Sequence, residues 1–309
     1  MSYPEEQPPA PPAPLPPAPA VPRRGRRAIP APAADPASRR AADEICARLC
    51  RDLLGDFAPA LLLLSRTERP RVQALTAYAR SLFDIARQPG TEEERLDRIG
   101  RSELTLEFAL LGEPVEQPVL VAMAGQNVRR PWPPGALEEL AASARRRALR
   151  ARPADAAADD EEAQRLAAAF TAALLGAPPA GEVSVFAGAL VQLHALQNLG
   201  AERAAGRCPL PISELPDDPA GDGALPEAGR LLAAAHRECA RLRGRLLRAP
   251  RALVEMPPRY RRAAVFALLA GVRLLSLIED GDDLLTAPPH LGLASRLALL
   301  AQAHWFRIG

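Results

Sequence analysis

A chain of 309 residues with 48% hydrophobic side chains is long enough to bury one large core or two small ones. Its net charge of +2 provides no field strong enough to gather nucleic acid or an anionic membrane. All 39 basic residues are arginine, which excludes Schiff-base, pyridoxal-phosphate and P-loop lysine chemistry.

In chain order, residues 1–38 come first as a tail rich in proline, alanine and arginine, with runs such as PPAPPAPLPPAPAVP. Proline lacks the N–H that ladders need, so disorder with polyproline II character is expected. The tail either docks a proline-binding module or stays solvated, and Arg23, Arg24, Arg26 and Arg27 either touch acidic lipid or keep it soluble. The start is acidic and proline-broken, so a signal peptide is not expected.

From Ala41 the apolar residues recur at helical spacing, beginning with AADEICARLCRDLL. The same spacing predicts helices over 68–87, 136–151, 160–175, 184–205, 226–248, 259–279 and 292–306. Proline and glycine clusters punctuate them, with Pro258 placed to open a helix and Gly281 to close it. No strand-like alternation of convincing length occurs, so residues 39–309 are expected to form one all-α domain. The longest apolar run, Ala263 to Ile278, is broken by Arg273 and is too short to span a bilayer. Cys46 and Cys50 share a helical face, and with Cys208 and Cys239 they are expected as buried, reduced thiols rather than a disulfide or zinc site.

Three windows carry a resemblance. Residues 189–211, ALVQLHALQNLGAERAAGRCPLP, keep Ala189, Leu190, Gly206, Arg207, Leu210 and Pro211 in register with the second aspartate-rich segment of the squalene/phytoene synthases. Residues 56–87 are similar to that family's opening helix pair through Phe57, Leu62, Leu63, Arg69, Pro70, Val72, Ala79, Arg80, Asp84, Ile85 and Ala86. Residues 265–286 resemble its late helix and acidic ending. The resemblance runs from about Asp56 to Leu300 and lies nearest the hydroxysqualene synthases of hopanoid biosynthesis, because Gln197 stands where that branch carries glutamine. It implies an isoprenoid synthase-type helical bundle around a central cavity.

In that family two Asp-xxx-Asp pairs face each other across the cavity mouth, each pair on one helical face. They hold magnesium ions that neutralise a leaving diphosphate while two prenyl chains are joined head to head. Here the outer acids of the first motif are Phe83 and Arg87, leaving only Asp84 between them. The second motif reads His194, Asn198 and Glu202, spaced by four. The substrate-holding tyrosine of the middle helix aligns near Asp159, and the serine of the opening segment is Ala60. Family arginines persist at Arg80 and Arg207, with Arg69 and Arg152 as further matches, and arginine forks suit phosphate oxygens without a metal. Glu279, Asp280, Asp282 and Asp283 read as solvated acids at a helix end, and His236, His290 and His304 as structural or surface residues.

The expectation is therefore a divergent family member without magnesium-dependent prenyl transfer. It would bind a prenyl diphosphate or isoprenoid lipid, or partner an active synthase, need no cofactor, and reside in the cytoplasm with at most peripheral membrane contact. The competing expectation is an active prenyl transferase or diphosphate lyase with one magnesium on Asn198 and Glu202, assisted by Arg80 and Arg207. A third is a helical interaction module presented by the proline-rich tail.

Overall fold

The computed structural model describes residues 35–149, 155–205, 208–211, 227–281 and 284–306. Arg152, Gly206, Arg207, Asp282, Asp283 and almost all of the proline-rich tail lie outside these residues. The described chain runs α1 (Pro36–Leu54), a 3-10 segment (Gly55–Leu63), α2 (Glu68–Arg87), α3 (Glu92–Leu111), α4 (Pro118–Arg129), α5 (Pro134–Leu149) and α6 (Ala156–Leu175). It continues with α7 (Gly181–Gln197), α8 (Leu199–Ala204), α9 (Ala228–Leu246), α10 (Ala249–Glu255), α11 (Pro258–Glu279) and α12 (Leu293–Trp305). No strand occurs among the described residues, so the all-α expectation holds.

Local chemistry sets the helix ends. Asp35 caps α1 by accepting from the Ala37 and Ser38 amides, with Pro36 preset for the first turn. Thr91 and Glu94 form a reciprocal capping box at α3. Asp155 caps α6, and Pro258 opens α11 as the sequence predicts. Gly112 and Gly176 supply the left-handed C-caps of α3 and α6. Gly281 does not act this way: α11 ends at Glu279 on a right-handed Asp280, and Gly281 has no positive φ.

Two large apolar cores divide the bundle. The first joins α1 to α6 around Leu75, Tyr78, Leu82, Ile99, Met123 and Leu140. The second joins α7, α9, α10, α11 and α12 to the 3-10 segment around Phe186, Leu193, Leu242, Phe266 and Leu274. The pairing of α6 with α7 joins the halves. It is close because Gly188 leaves the Gln164 backbone room that a Cβ, at 3.2 Å from it, would crowd. No described helix is long and apolar enough to cross a membrane.

All four cysteines are buried free thiols. Burial pushes Cys46 and Cys239 to about 12 and Cys50 to about 11. The thiolate is the reactive form, so these three should resist Ellman's reagent in the native protein at neutral pH. They should react fully in guanidinium; rapid native labelling would contradict the packing.

Candidate ligand-binding site

Both degenerate motifs meet at one end of the bundle, where α2, α5 and α7 end and α6 begins. Arg87, in the last turn of α2, pairs with Glu202 on α8, Nη2 to Oε1 at 3.1 Å. A cation from the first motif thus reaches a carboxylate of the second. Arg80 donates through Nε to Asp84 at 3.3 Å and through Nη1 to the Leu49 carbonyl at 3.5 Å. Phe83 is half-buried against the first core, and the guanidinium of Arg147 on α5 lies over its ring at 5.6 Å.

The second motif does not occupy one unbroken helix. The helix expected over 184–205 ends at Gln197 and restarts at Leu199, with Asn198 at φ −94° and ψ 13° between them. Helix-like bonds still cross the break, from Asn198 N to the His194 carbonyl at 3.2 Å and from Glu202 N to the Asn198 carbonyl at 2.9 Å. His194, Asn198 and Glu202 therefore stay stacked turn upon turn. Asn198 Nδ2 donates to the His194 carbonyl at 2.7 Å and lies 3.3 Å from the ring nitrogen Nε2. Gly200 sets α8 in place, since a Cβ there would sit 2.2 Å from the Leu285 carbonyl oxygen.

Like charges crowd this end of the bundle. Arg147 is reachable by solvent, yet burial by the surrounding protein, followed by the charge of Arg87, lowers its pKa. Burial also lowers the pKa of His194, and the charges of Arg87, Arg147 and Arg80 outweigh that of Glu202 in the same direction. The unfolded chain therefore takes up this proton before the native state does. Stability is full above pH 6.5 and falls as pH drops toward the lowered native value. Urea unfolding at about pH 7.5 and about pH 5.5 should show this loss, and His194→Gln should reduce it. An unchanged slope in the variant would contradict the placement.

Deeper in, α6, α7 and α9 enclose a polar network that sequence reasoning missed. Gln192 donates to Asp160 at 2.9 Å and also to Asp159. Arg245 donates through Nη1 to Asp160 and to Gln192 Oε1, each at 2.5 Å, and Arg241 bonds Asp160 and Glu238. Burial raises the pKa of Asp159 and Glu238. It acts the same way on Asp160, where the bonds from Arg241 and Gln192 outweigh it and hold the carboxyl low. The signal was readable: Glu238, Arg241 and Arg245 recur at three and four residues along α9, and Glu238 and Arg245 fall among its buried positions.

Other matched positions have structural partners. Gln197 donates to the buried carboxylate of Asp56 at 2.7 Å and to the Pro289 carbonyl at 2.9 Å. Asp56 also receives His290, the Leu291 amide and Arg296. Arg69 donates to the carbonyls of Leu61, Leu62 and Leu64, so it closes the 3-10 segment. Glu279 accepts from Arg243.

This donor set suits magnesium poorly, because that ion wants near-octahedral oxygen ligands. Phe83 offers none, Arg87 is a cation, and Glu202 is paired with it. Among the described residues no three His, Cys, Asp or Glu gather as a metal site.

Comparison with known proteins agrees with the sequence resemblance. The squalene/phytoene synthase family model matches residues 55–298. No curated protein matches the chain in a sequence search. Among solved structures, a dehydrosqualene synthase in complex with ligand is similar with TM-score 0.70 and 14% identity, over 87% of this chain and 97% of that one. The squalene synthase HpnC from Alicyclobacillus acidocaldarius is similar with TM-score 0.61 and 21% identity, over 79% and 95%. YisP from Bacillus subtilis subsp. subtilis strain 168 is similar with TM-score 0.59 and 12% identity, over 86% and 97%. The match over residues 55–298 places the chain in the squalene/phytoene synthase family, with an isoprenoid synthase-type all-α fold.

Proposed function

We propose that this family member binds a prenyl diphosphate or isoprenoid lipid without magnesium-dependent head-to-head prenyl transfer, as a ligand-holding protein or as partner to an active synthase. The observation that carries the reading is the Arg87–Glu202 ion pair, which joins the two motifs directly. A magnesium ion ~4 Å from a fixed arginine charge would meet a repulsion on the order of 8 kcal/mol at an effective dielectric of 20. The similar structures named as dehydrosqualene and squalene synthases supply the isoprenoid ligand class. The reading places the protein in the cytoplasm, with membrane contact at most peripheral.

Thermal denaturation of the full chain with farnesyl diphosphate tests it. A ligand at a hundredfold its Kd stabilises by about 2.7 kcal/mol, and the rise in Tm should be equal in EDTA and in magnesium. No rise in either, or a rise only with magnesium, would contradict the proposal.

One observation favours a second reading, an active transferase or diphosphate lyase with a reduced metal set. Asn198 and Glu202 remain one helical turn apart, linked by the Glu202 amide to the Asn198 carbonyl at 2.9 Å. In that case Glu202→Ala should abolish magnesium-dependent consumption of farnesyl diphosphate.

A further inference from the structure

The net charge of +2 hides an uneven distribution. Three stretches, 62–71, 128–130 and 254–262, carry eight arginines against two glutamates, so the rest of the chain is net acidic. The fold brings these stretches together where α2 starts, α4 ends and α11 starts. Glu68 accepts from Arg130 Nη2 at 2.8 Å and from the Tyr260 hydroxyl, and it pairs with Arg259 Nε at 3.5 Å. Arg71 lies over the Trp132 ring at 3.5 Å and donates to the Arg130 and Pro131 carbonyls at 2.5 and 3.3 Å. This end lies opposite the altered motifs, roughly 30 Å from Arg87 along the 20 residues of α2.

That frame leaves other arginines free. Arg66, Arg129 and Arg262 are exposed, and none of them is ion-paired among the described residues. Glu68 is occupied by Arg130 and Arg259, and Asp43 of α1 feels the charge of Arg129 without pairing with it. Each stretch also exposes an aliphatic side chain beside its arginines: Leu62 at 63%, Val128 at 79% and Val254 at 60%. The Leu62 and Val254 carbonyls accept from Arg69 and Arg261 at 3.3 and 3.1 Å, and Val128 directly precedes Arg129. A single exposed aliphatic needs no explanation. Three of them set among the arginines of one basic end make a mixed surface. An acidic protein or a nucleic acid would answer the arginines and leave the aliphatics in water. An anionic bilayer answers both, because its phosphates take guanidinium forks and its acyl boundary takes the aliphatics.

We propose that this end of the bundle is a docking surface for an anionic phospholipid membrane, with Arg66, Arg129 and Arg262 on the headgroups and Leu62, Val128 and Val254 dipping beneath them. No described helix can cross a bilayer, so the contact is peripheral. This goes beyond the ligand-binding reading, and its test reads vesicles rather than farnesyl diphosphate, so either can fail alone.

Co-sedimentation of the full chain with vesicles of phosphatidylcholine alone, and of an equal mixture with phosphatidylglycerol, tests the surface. The wild type should sediment with the mixed vesicles and stay in solution with phosphatidylcholine alone, and rising salt should release it. Each arginine near an anionic surface contributes about fivefold in affinity, so Arg66→Gln, Arg129→Gln and Arg262→Gln together should weaken binding on the order of a hundredfold. Arg98→Gln, Arg101→Gln and Arg165→Gln together remove the same charge from α3 and α6 and should weaken it far less. Val128→Ser with Val254→Ser should weaken it several-fold at unchanged charge. All these positions are exposed or half-exposed, so the circular dichroism melts should match the wild type. Failure to sediment with the mixed vesicles, or equal losses in the two arginine triples, would overturn the surface. An oligonucleotide bound through Arg66, Arg129 and Arg262, with no vesicle binding, would overturn the lipid assignment and make this end a nucleic-acid face.

Discussion

Asp56→Ala should lower stability by about 3 kcal/mol, the penalty for stranding buried hydrogen-bonding groups. Asp56 is completely buried at the start of the 3-10 segment. Its carboxylate gathers Gln197 Nε2 at 2.7 Å, His290 Nδ1 and the Leu291 amide each at 3.1 Å, and Arg296 Nη2 at 2.5 Å. One side chain therefore ties α7, the loop before α12 and α12 itself to the segment after α1. Removing it leaves the Leu291 amide and one Gln197 donor hydrogen facing protein. Arg296 suffers less because about a third of its side chain reaches water. At roughly 2–4 °C per kcal/mol for a domain of this size, Tm should fall by about 6–12 °C. Urea unfolding should show a lower midpoint with an unchanged slope. A shift below about 0.5 kcal/mol, the range of ordinary surface changes, would contradict the hub.

Asp160→Ala should have a comparable effect through a different route. Asp160 is the carboxylate partner of Arg245, whose side chain is only 8% exposed. Without it Arg245 keeps Gln192 as its hydrogen-bond partner, and its Nη2 is already unpaired. Breaking a buried pair from one side costs about 3–5 kcal/mol. Asp160 is itself about a quarter exposed and Arg241 retains Glu238, so the lower end, about 3 kcal/mol, is expected. Replacing both partners removes the stranded charge. Asp160→Ala with Arg245→Met should therefore lose much less than the sum of the two single changes in a double-mutant cycle. Additive losses would mean that the two side chains do not act as a pair.

Much of the bundle is legible in the sequence because its long helices bury an apolar stripe, as α2, α9 and α11 do. The helices at 92–111 and 118–129 are not. In α3 only Ile99, Leu106 and Ala109 are buried, while Leu104, Phe108 and Leu111 face solvent, so the apolar period is blurred. In α4 the run PVLVAMAG is short and apolar throughout, a pattern that a buried strand shares. The break at Asn198 follows from no proline or glycine at that position and shows only in the fold.

The motif positions Phe83, Asp84, Arg87, His194, Asn198 and Glu202 can be found from the resemblance. Their pairing cannot, because Arg87 and Glu202 are far apart in sequence. Arg147 escaped notice for a related reason. It sits third in an arginine run where only the turn of α5 tells which guanidinium lies over the Phe83 ring. Gln197 was legible as a branch marker, but its bond to Asp56 needs the 3-10 segment folded back against α7. Arg80 and Arg69, matched as arginines suited to phosphate, have partners of their own in Asp84 and in the carbonyls of Leu61, Leu62 and Leu64.

On the function proposed above, the altered motifs no longer run magnesium-dependent prenyl transfer. Incubating the purified full chain with labelled farnesyl diphosphate, with and without magnesium, and resolving lipid products from free diphosphate tests it most directly. No magnesium-dependent product is expected under conditions where an active squalene synthase consumes the substrate. Magnesium-dependent formation of a coupled prenyl product, abolished by Glu202→Ala, would contradict it and assign Asn198 and Glu202 to a working metal site.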